Sequence, residues 1–138
     1  MPSMWSVLIV SSSVEDRKDL IRILDRLPLN LIVAPNLHEA ADALRRHHID
    51  FAFCHATLPD GSYRNLLSLT GCANLPIAVS SHSWDREAHT EALQQGAFAT
   101  LRCPLQPTDV ELVVIRASRH ARQSGAAPVA EDTYPLSA

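Results

Sequence analysis

Six polar residues stand where short apolar runs of the chain end, and their types bound the chemistry available. Ser11 and Ser12 follow Trp5–Val10, His55 follows Ile49–Cys54, Ser81 and His82 follow Pro76–Ser80, and Cys103 follows Phe98–Arg102. An imidazole is a nucleophile, so His55 is a candidate phosphoryl carrier. A thiolate with two imidazoles, from Cys103, His55 and His82, is a borderline-soft set that suits zinc with an open fourth position. Cys103 beside an imidazolium is also a candidate redox thiol. Asp60 offers a carboxylate nucleophile close behind His55. Each has a plainer reading. Asp60 lies in Pro59-Asp60-Gly61, a sequence with ordinary turn chemistry. His55 reads as a neutral, hydrogen-bonded histidine. No spacing among His55, His82 and Cys103 is a metal signature such as C-x-x-C, and seven histidines in the chain make coincidence easy. No metal is therefore expected, and His55, His82 and Cys103 are the alternative set. Cys54 reads as a small buried hydrophobe.

The elements that position these residues follow from periodicity. Trp5–Val10 is a nearly continuous apolar run, as expected of a strand buried on both faces in a parallel sheet. Residues 14–27 carry a helical stripe at Leu20, Ile21, Leu24 and Leu27, stopped by Pro28. Leu29–Ala34 is a second strand, and Asn36 is placed to cap a helix with the stripe Leu37, Ala40, Ala41 and Leu44. Ile49–Cys54 is a third strand, followed by the turn at Asp60, a short helix over Tyr63–Leu69 and Gly71 past its end. Pro76–Ser80 is a fourth strand and Ser83–Gln95 a helix that closes on Gly96. Phe98–Arg102 is a fifth strand, ended by Pro104. Thr108 then opens a last helix in which Thr108-x-x-Glu111 fits a capping box, with apolar face Val110, Val113, Val114 and Ala117. Strands alternating with helices call for a doubly wound parallel sheet, whose sites form at the carboxyl ends of the strands.

Composition sets the class. The chain has 138 residues, 46% hydrophobic and 20% charged, with net charge −3. This fits one globular domain and gives no electrostatic case for nucleic acid or an anionic membrane. The basic cluster Arg116, Arg119, His120 and Arg122 suits the carboxyl end of a helix dipole. Cys54, Cys72 and Cys103 are too few and too scattered for a disulfide framework, which points to a reducing, cytoplasmic setting. The apolar runs are too short to span a bilayer, and no basic region precedes an apolar stretch at the start. Residues 1–120 read as the domain and 121–138, rich in Ala, Ser, Pro and Gly, as a flexible tail or linker.

In this order the pieces resemble a response-regulator receiver domain. They are Val7-Leu8-Ile9-Val10, Asp50-Phe51-Ala52-Phe53-Cys54 leading into Leu58-Pro59-Asp60-Gly61, Leu75-Pro76-Ile77-Ala78-Val79, Gln95-Gly96-Ala97-Phe98 and Leu101-Arg102-Cys103-Pro104. The resemblance implies a flavodoxin-like (βα)5 fold with strand order 2-1-3-4-5, and a cis peptide before Pro104. It also implies an acidic pair after the first strand, a phosphoaccepting Asp after the third, a hydroxyl after the fourth and a Lys-Pro after the fifth. Those positions here are Ser11 and Ser12, His55, Ser81 and Cys103, and the aromatic switch position is Thr100. Only Ser81 is retained in kind. Magnesium wants anionic oxygens, so its binding is expected to be lost together with acyl-phosphate formation, leaving a neutral pocket and no cofactor. Phosphotransfer histidines in such pathways sit on exposed helices, which argues against His55 as an acceptor.

The function expected from this is a non-enzymatic pseudo-receiver, a protein-interaction module in phosphorelay-type signalling. Its partner, or a second copy, is expected on the face made by the fourth helix, fifth strand and last helix, around an exposed Trp84 with Glu87 and Glu91. Two alternatives stay open: a metal, redox or small-ligand sensor using the altered pocket, and the amino-terminal part of a longer transcriptional regulator.

Overall fold

In the computed structural model, which describes residues 5–70 and 75–123, the apolar runs form one parallel sheet. Its strands are β1 (Trp5–Val10), β2 (Leu29–Ala34), β3 (Phe51–His55), β6 (Ile77–Ser81) and β7 (Ala99–Arg102). Between them lie α1 (Val14–Leu24), α2 (Leu37–Arg46), α3 (Tyr63–Thr70) and α4 (Arg86–Gln94), and α5 (Pro107–Gln123) follows the last strand. Two-residue strands β4 (Thr57–Leu58) and β5 (Gly61–Ser62) form a small antiparallel ribbon at the Pro-Asp-Gly turn. The sheet order is β2-β1-β3-β6-β7, which with the ribbon set aside is the expected order 2-1-3-4-5. The Cys103–Pro104 peptide is cis.

Both faces of the sheet are covered, and this is why the strand sequences run apolar rather than alternating. Val7, Ile9, Phe51 and Phe53 join a core completed by Leu20 and Leu24 of α1 and Val110, Val113 and Ala117 of α5. Leu8, Val10, Ala52 and Cys54 point the other way, into a core with Ala40 of α2, Leu66 of α3 and Ala92 of α4. Phe51 meets Phe53 edge-on at 4.9 Å between ring centroids, a favoured aromatic geometry.

Caps set the helix starts. Asn36 Oδ1 accepts from the Glu39 amide at 2.8 Å, as its position suggested. Asp85 caps α4 by accepting from the Ala88 amide at 2.7 Å, so that helix begins later than the Ser83 start expected from its stripe. The capping box at Thr108 does not form, because Pro107 already occupies the first helical position, where its missing N–H and fixed φ cost nothing. The stripe of α1 is also rotated slightly from expectation. Asp16, Leu20, Ile23 and Leu24 are the buried residues, and Ile21 is only half-buried. Helix α5 runs on to Gln123, three residues into the range read as tail, while Gly71, Cys72 and residues 124–138 lie outside the described residues.

Candidate functional site

Parallel pairing puts the carboxyl ends of β1, β3, β6 and β7 on one edge, and the residues that follow them meet there. The Oδ atom of Asp16, an imidazole nitrogen from each of His55 and His82, and the Cys103 Sγ all lie within 4.8 Å of one another. Asp16 Oδ2 is 3.0 Å from His82 Nε2 and 3.7 Å from His55 Nε2. The two imidazole rings are 6.0 Å apart between centroids. Asp16 and Cys103 are buried, His55 is half-buried and His82 is exposed.

Asp16 corrects the expectation of a neutral pocket. It sits in the first turn of α1, on the same face as Leu20 and Leu24, and brings a carboxylate to the edge where Ser11 and Ser12 bring none. The sequence carried a signal for it. An acidic residue four positions before Leu20, in line with the apolar stripe, must face the sheet.

Ser11 and Ser81 are placed at the site but their hydroxyls act locally. Ser11 Oγ accepts from the Ser13 amide at 3.1 Å, and the Ser11 carbonyl accepts from Arg17 Nη1 at 2.7 Å. Ser81 Oγ accepts from the Ser83 amide at 3.1 Å. Both are short side-chain-to-backbone turns of the kind serine favours. Ser12 is exposed.

His55 is held by its own loop. Its Nδ1 lies 3.2 Å from the Thr57 carbonyl oxygen and 3.4 Å from the Thr57 amide. In the tautomer favoured by the shorter contact, Nδ1–H donates to that carbonyl and Nε2 carries a lone pair. His55 Nε2 is buried and, among the described residues, has no hydrogen-bond partner. A buried polar atom without a partner is costly and calls for an explanation.

Burial pushes the Cys103 thiol up to about 11, with the Asp16 carboxylate acting in the same direction. This is opposite to the lowered pKa that a redox-active thiol needs, and it removes support from the redox alternative. Cys54, fully buried, is pushed up to about 12 by burial alone, as suits a small core residue. The space beside Asp16 and His55 is lined by Ser11, Arg17, Cys54 and Leu105 and takes no more than a water-sized body, too little for an organic ligand.

The face expected to bind partners is arranged differently from expectation. Trp84 precedes α4 and is half-buried, its indole donating to the Leu101 carbonyl at 2.7 Å. Glu91 faces α3, where Arg64 Nη2 meets it at 2.6 Å. Glu87 is exposed on α4. Thr100 Oγ1 lies 2.6 Å from His89 Nδ1. A groove between α4, β7 and α5 is lined by Trp84, His89, Leu93, Thr100, Leu112 and Arg116.

No protein-family model matches the chain, and no curated protein matches it in sequence. Its fold does match solved structures. The signal receiver domain of an HD domain-containing protein from Pseudomonas fluorescens Pf-5 superposes with TM-score 0.82 at 19% identity, over 91% of this chain and 95% of that one. A two-component response regulator from Clostridium difficile gives 0.78 at 20%, over 84% and 97%. The chemotaxis response regulator CheY4 of Vibrio cholerae gives 0.73 at 19%, over 83% and 99%. The chain has the fold of response-regulator receiver domains.

Proposed function

We propose that this chain is a pseudo-receiver: a non-enzymatic, cytoplasmic protein-interaction module of phosphorelay-type signalling that is not switched by magnesium-dependent Asp phosphorylation. The observation that carries the proposal is the residue at the carboxyl end of β3. His55 stands where the receiver layout needs its phosphoaccepting Asp, so no acyl phosphate forms there. The rest of the pocket supports the reading. Ser11 and Ser12 offer no carboxylate, Asp16 is a single one and already faces two imidazoles, and Cys103 offers no ammonium to meet a phosphoryl group. Magnesium, which favours several hard oxygen ligands, is poorly served by a set containing sulfur and nitrogen. At the other end of the expected switch, Thr100 is too small to swing as an aromatic does and is engaged by His89. The groove beside it supports binding of a protein partner or a second copy in one fixed arrangement, since without a phosphoryl group nothing distinguishes two states.

The test is exposure of the purified chain to acetyl phosphate and Mg²⁺, read by intact mass. No added phosphoryl group is expected, either in the parent or in His55→Asp, which restores the acceptor without the acidic pair or the lysine. A single phosphoryl group on the parent, lost in Asp60→Asn or His55→Ala, would sink the proposal.

A further inference from the structure

We infer that Asp16, His55, His82 and Cys103 form a binding site for one zinc-class divalent ion. Four observations converge on it. The donors come from four separate parts of the chain (α1, the end of β3, the loop after β6 and the loop after β7), yet one ligand atom from each lies within 4.8 Å of every other. Zinc–ligand bonds of about 2.0–2.3 Å put tetrahedral ligand atoms roughly 3.3–3.8 Å apart, so a modest contraction closes the set around an ion. The Asp16 separations, 3.0 Å to His82 and 3.7 Å to His55, are already close to that spacing.

His55 supplies the second observation. Its Nε2 is buried and without a hydrogen-bond partner among the described residues, while Nδ1 sits against the Thr57 carbonyl. A metal-ligating histidine characteristically gives its other ring N–H to a backbone carbonyl, which fixes the ring and presents the free lone pair to the metal. An ion on Nε2 would satisfy the one buried side-chain nitrogen or oxygen left without a hydrogen-bond partner among the described residues.

The third is charge. A carboxylate and a thiolate offset the two positive charges of the ion, and two neutral imidazoles complete the shell, so the occupied site is neutral overall. On binding, the Cys103 S–H bond breaks, its proton leaves to solvent and its electron pair forms the metal–sulfur bond; no electron is transferred. A neutral His82 that donates its Nε2–H to Asp16 across their 3.0 Å contact moves that proton to Nδ1 as Nε2 turns to the metal, so the thiol proton alone is released. The fourth is ligand type. One sulfur, two nitrogens and one oxygen are borderline-soft and suit zinc far better than magnesium or calcium. Asp16 and Cys103 are buried while the His82 side chain is 57% exposed, which leaves that arm as the route of entry.

This inference goes beyond the pseudo-receiver reading and is independent of it, since a chain that accepts no phosphoryl group can bind zinc or fail to. The experiment is titration of the chelator-treated chain with Zn²⁺ alone, with bound metal measured after equilibrium dialysis, and in parallel with Co²⁺, read by absorption. One ion per chain is expected, with a thiolate-to-cobalt charge-transfer band and the intense visible bands of tetrahedral cobalt. Cys103→Ser should lose the charge-transfer band, and His55→Ala and Asp16→Asn should each weaken binding at least about tenfold. His82→Ala changes an exposed residue, so it keeps the fold and still loses affinity. His38→Ala with His47→Ala, on exposed residues of α2 and its end, should change nothing. Failure to bind one ion per chain, or full binding by folded Cys103→Ser and His82→Ala, overturns the inference and leaves the acetyl phosphate result untouched.

Discussion

Asp60 stands in a Pro-Asp-Gly turn, read from sequence as turn chemistry in preference to a nucleophile, yet its side chain works at a distance. Its two carboxylate oxygens accept from the Leu37 amide at 2.9 Å and the His38 amide at 3.1 Å, the first amides of α2. With Asn36 serving Glu39, three of the unpaired N–H groups at that helix start are satisfied by side chains. The Leu37 hydrogen bond is the main cause of a pKa below the usual carboxylate value. A carboxylate depressed in the folded state contributes stability that is full above its unfolded value and is lost as pH falls through the lowered one. Asp60→Asn should therefore lower the melting temperature at neutral pH, and the gap from the parent should close on acidification through that range. A gap that stays constant with pH would show that the charge is not what matters. His55, Ser81 and Cys103 were legible because residues after parallel strands must share an edge. Asp16 was not, because an acidic residue in a first helical turn reads as a partner for the helix dipole until its alignment with Leu20 is noticed.

Among the elements, the β4–β5 ribbon is the piece that sequence could not supply. Two-residue strands have no periodicity to detect, and their existence depends on contacts with α2 and α3. Gly61 shows how tight those contacts are. A Cβ there would lie 2.5 Å from Leu37 Cδ1 and 2.6 Å from Asn65 Oδ1. Its φ of +155° is also one that side chains rarely adopt, so Gly61→Ala should cost about 1–3 kcal/mol through strain and overpacking, measured by urea denaturation; a neutral result would show that the turn relaxes and that Leu37 and Asn65 repack freely. Strong stripes such as Val110, Val113 and Ala117 announced α5 despite its β-branched residues, because burial outweighs a weak propensity. Helix starts were less legible. They turned on which of several adjacent polar residues or prolines captures the first turn, as Asp85 does for α4. Trp84 fell on the wrong side of that boundary. Instead of projecting from a helix it ties the loop before α4 to β7, and Arg102 Nη1 returns a hydrogen bond to the Trp84 carbonyl at 3.2 Å.

At the scale of the whole molecule the sheet order followed from alternating strands and helices, whereas the surface did not, because which exposed residues face one another depends on the packing of helices over the sheet. Leu93 on α4 and Leu112 on α5 remain 42% and 50% exposed and flank the α4–β7–α5 groove, a better-placed pair than Glu87 and Glu91 for testing association. Leu93→Glu with Leu112→Glu should weaken binding to a partner or second copy while leaving thermal stability nearly unchanged, since exposed substitutions away from special features typically cost within about 0.5 kcal/mol. Unaltered sedimentation of the double variant at concentrations where the parent associates would exclude the groove as the contact. The strand order has a kinetic consequence. Cys103 joins Asp16, His55 and His82 only after β7 has docked beside β6, so the pocket closes over long chain separations. Non-local parallel pairing is slow because loop entropy is lost before contacts are gained. The pocket is therefore expected to form late in folding, and an occupant that recognises the finished sheet should slow unfolding rather than speed assembly, which stopped-flow unfolding with and without Zn²⁺ would check.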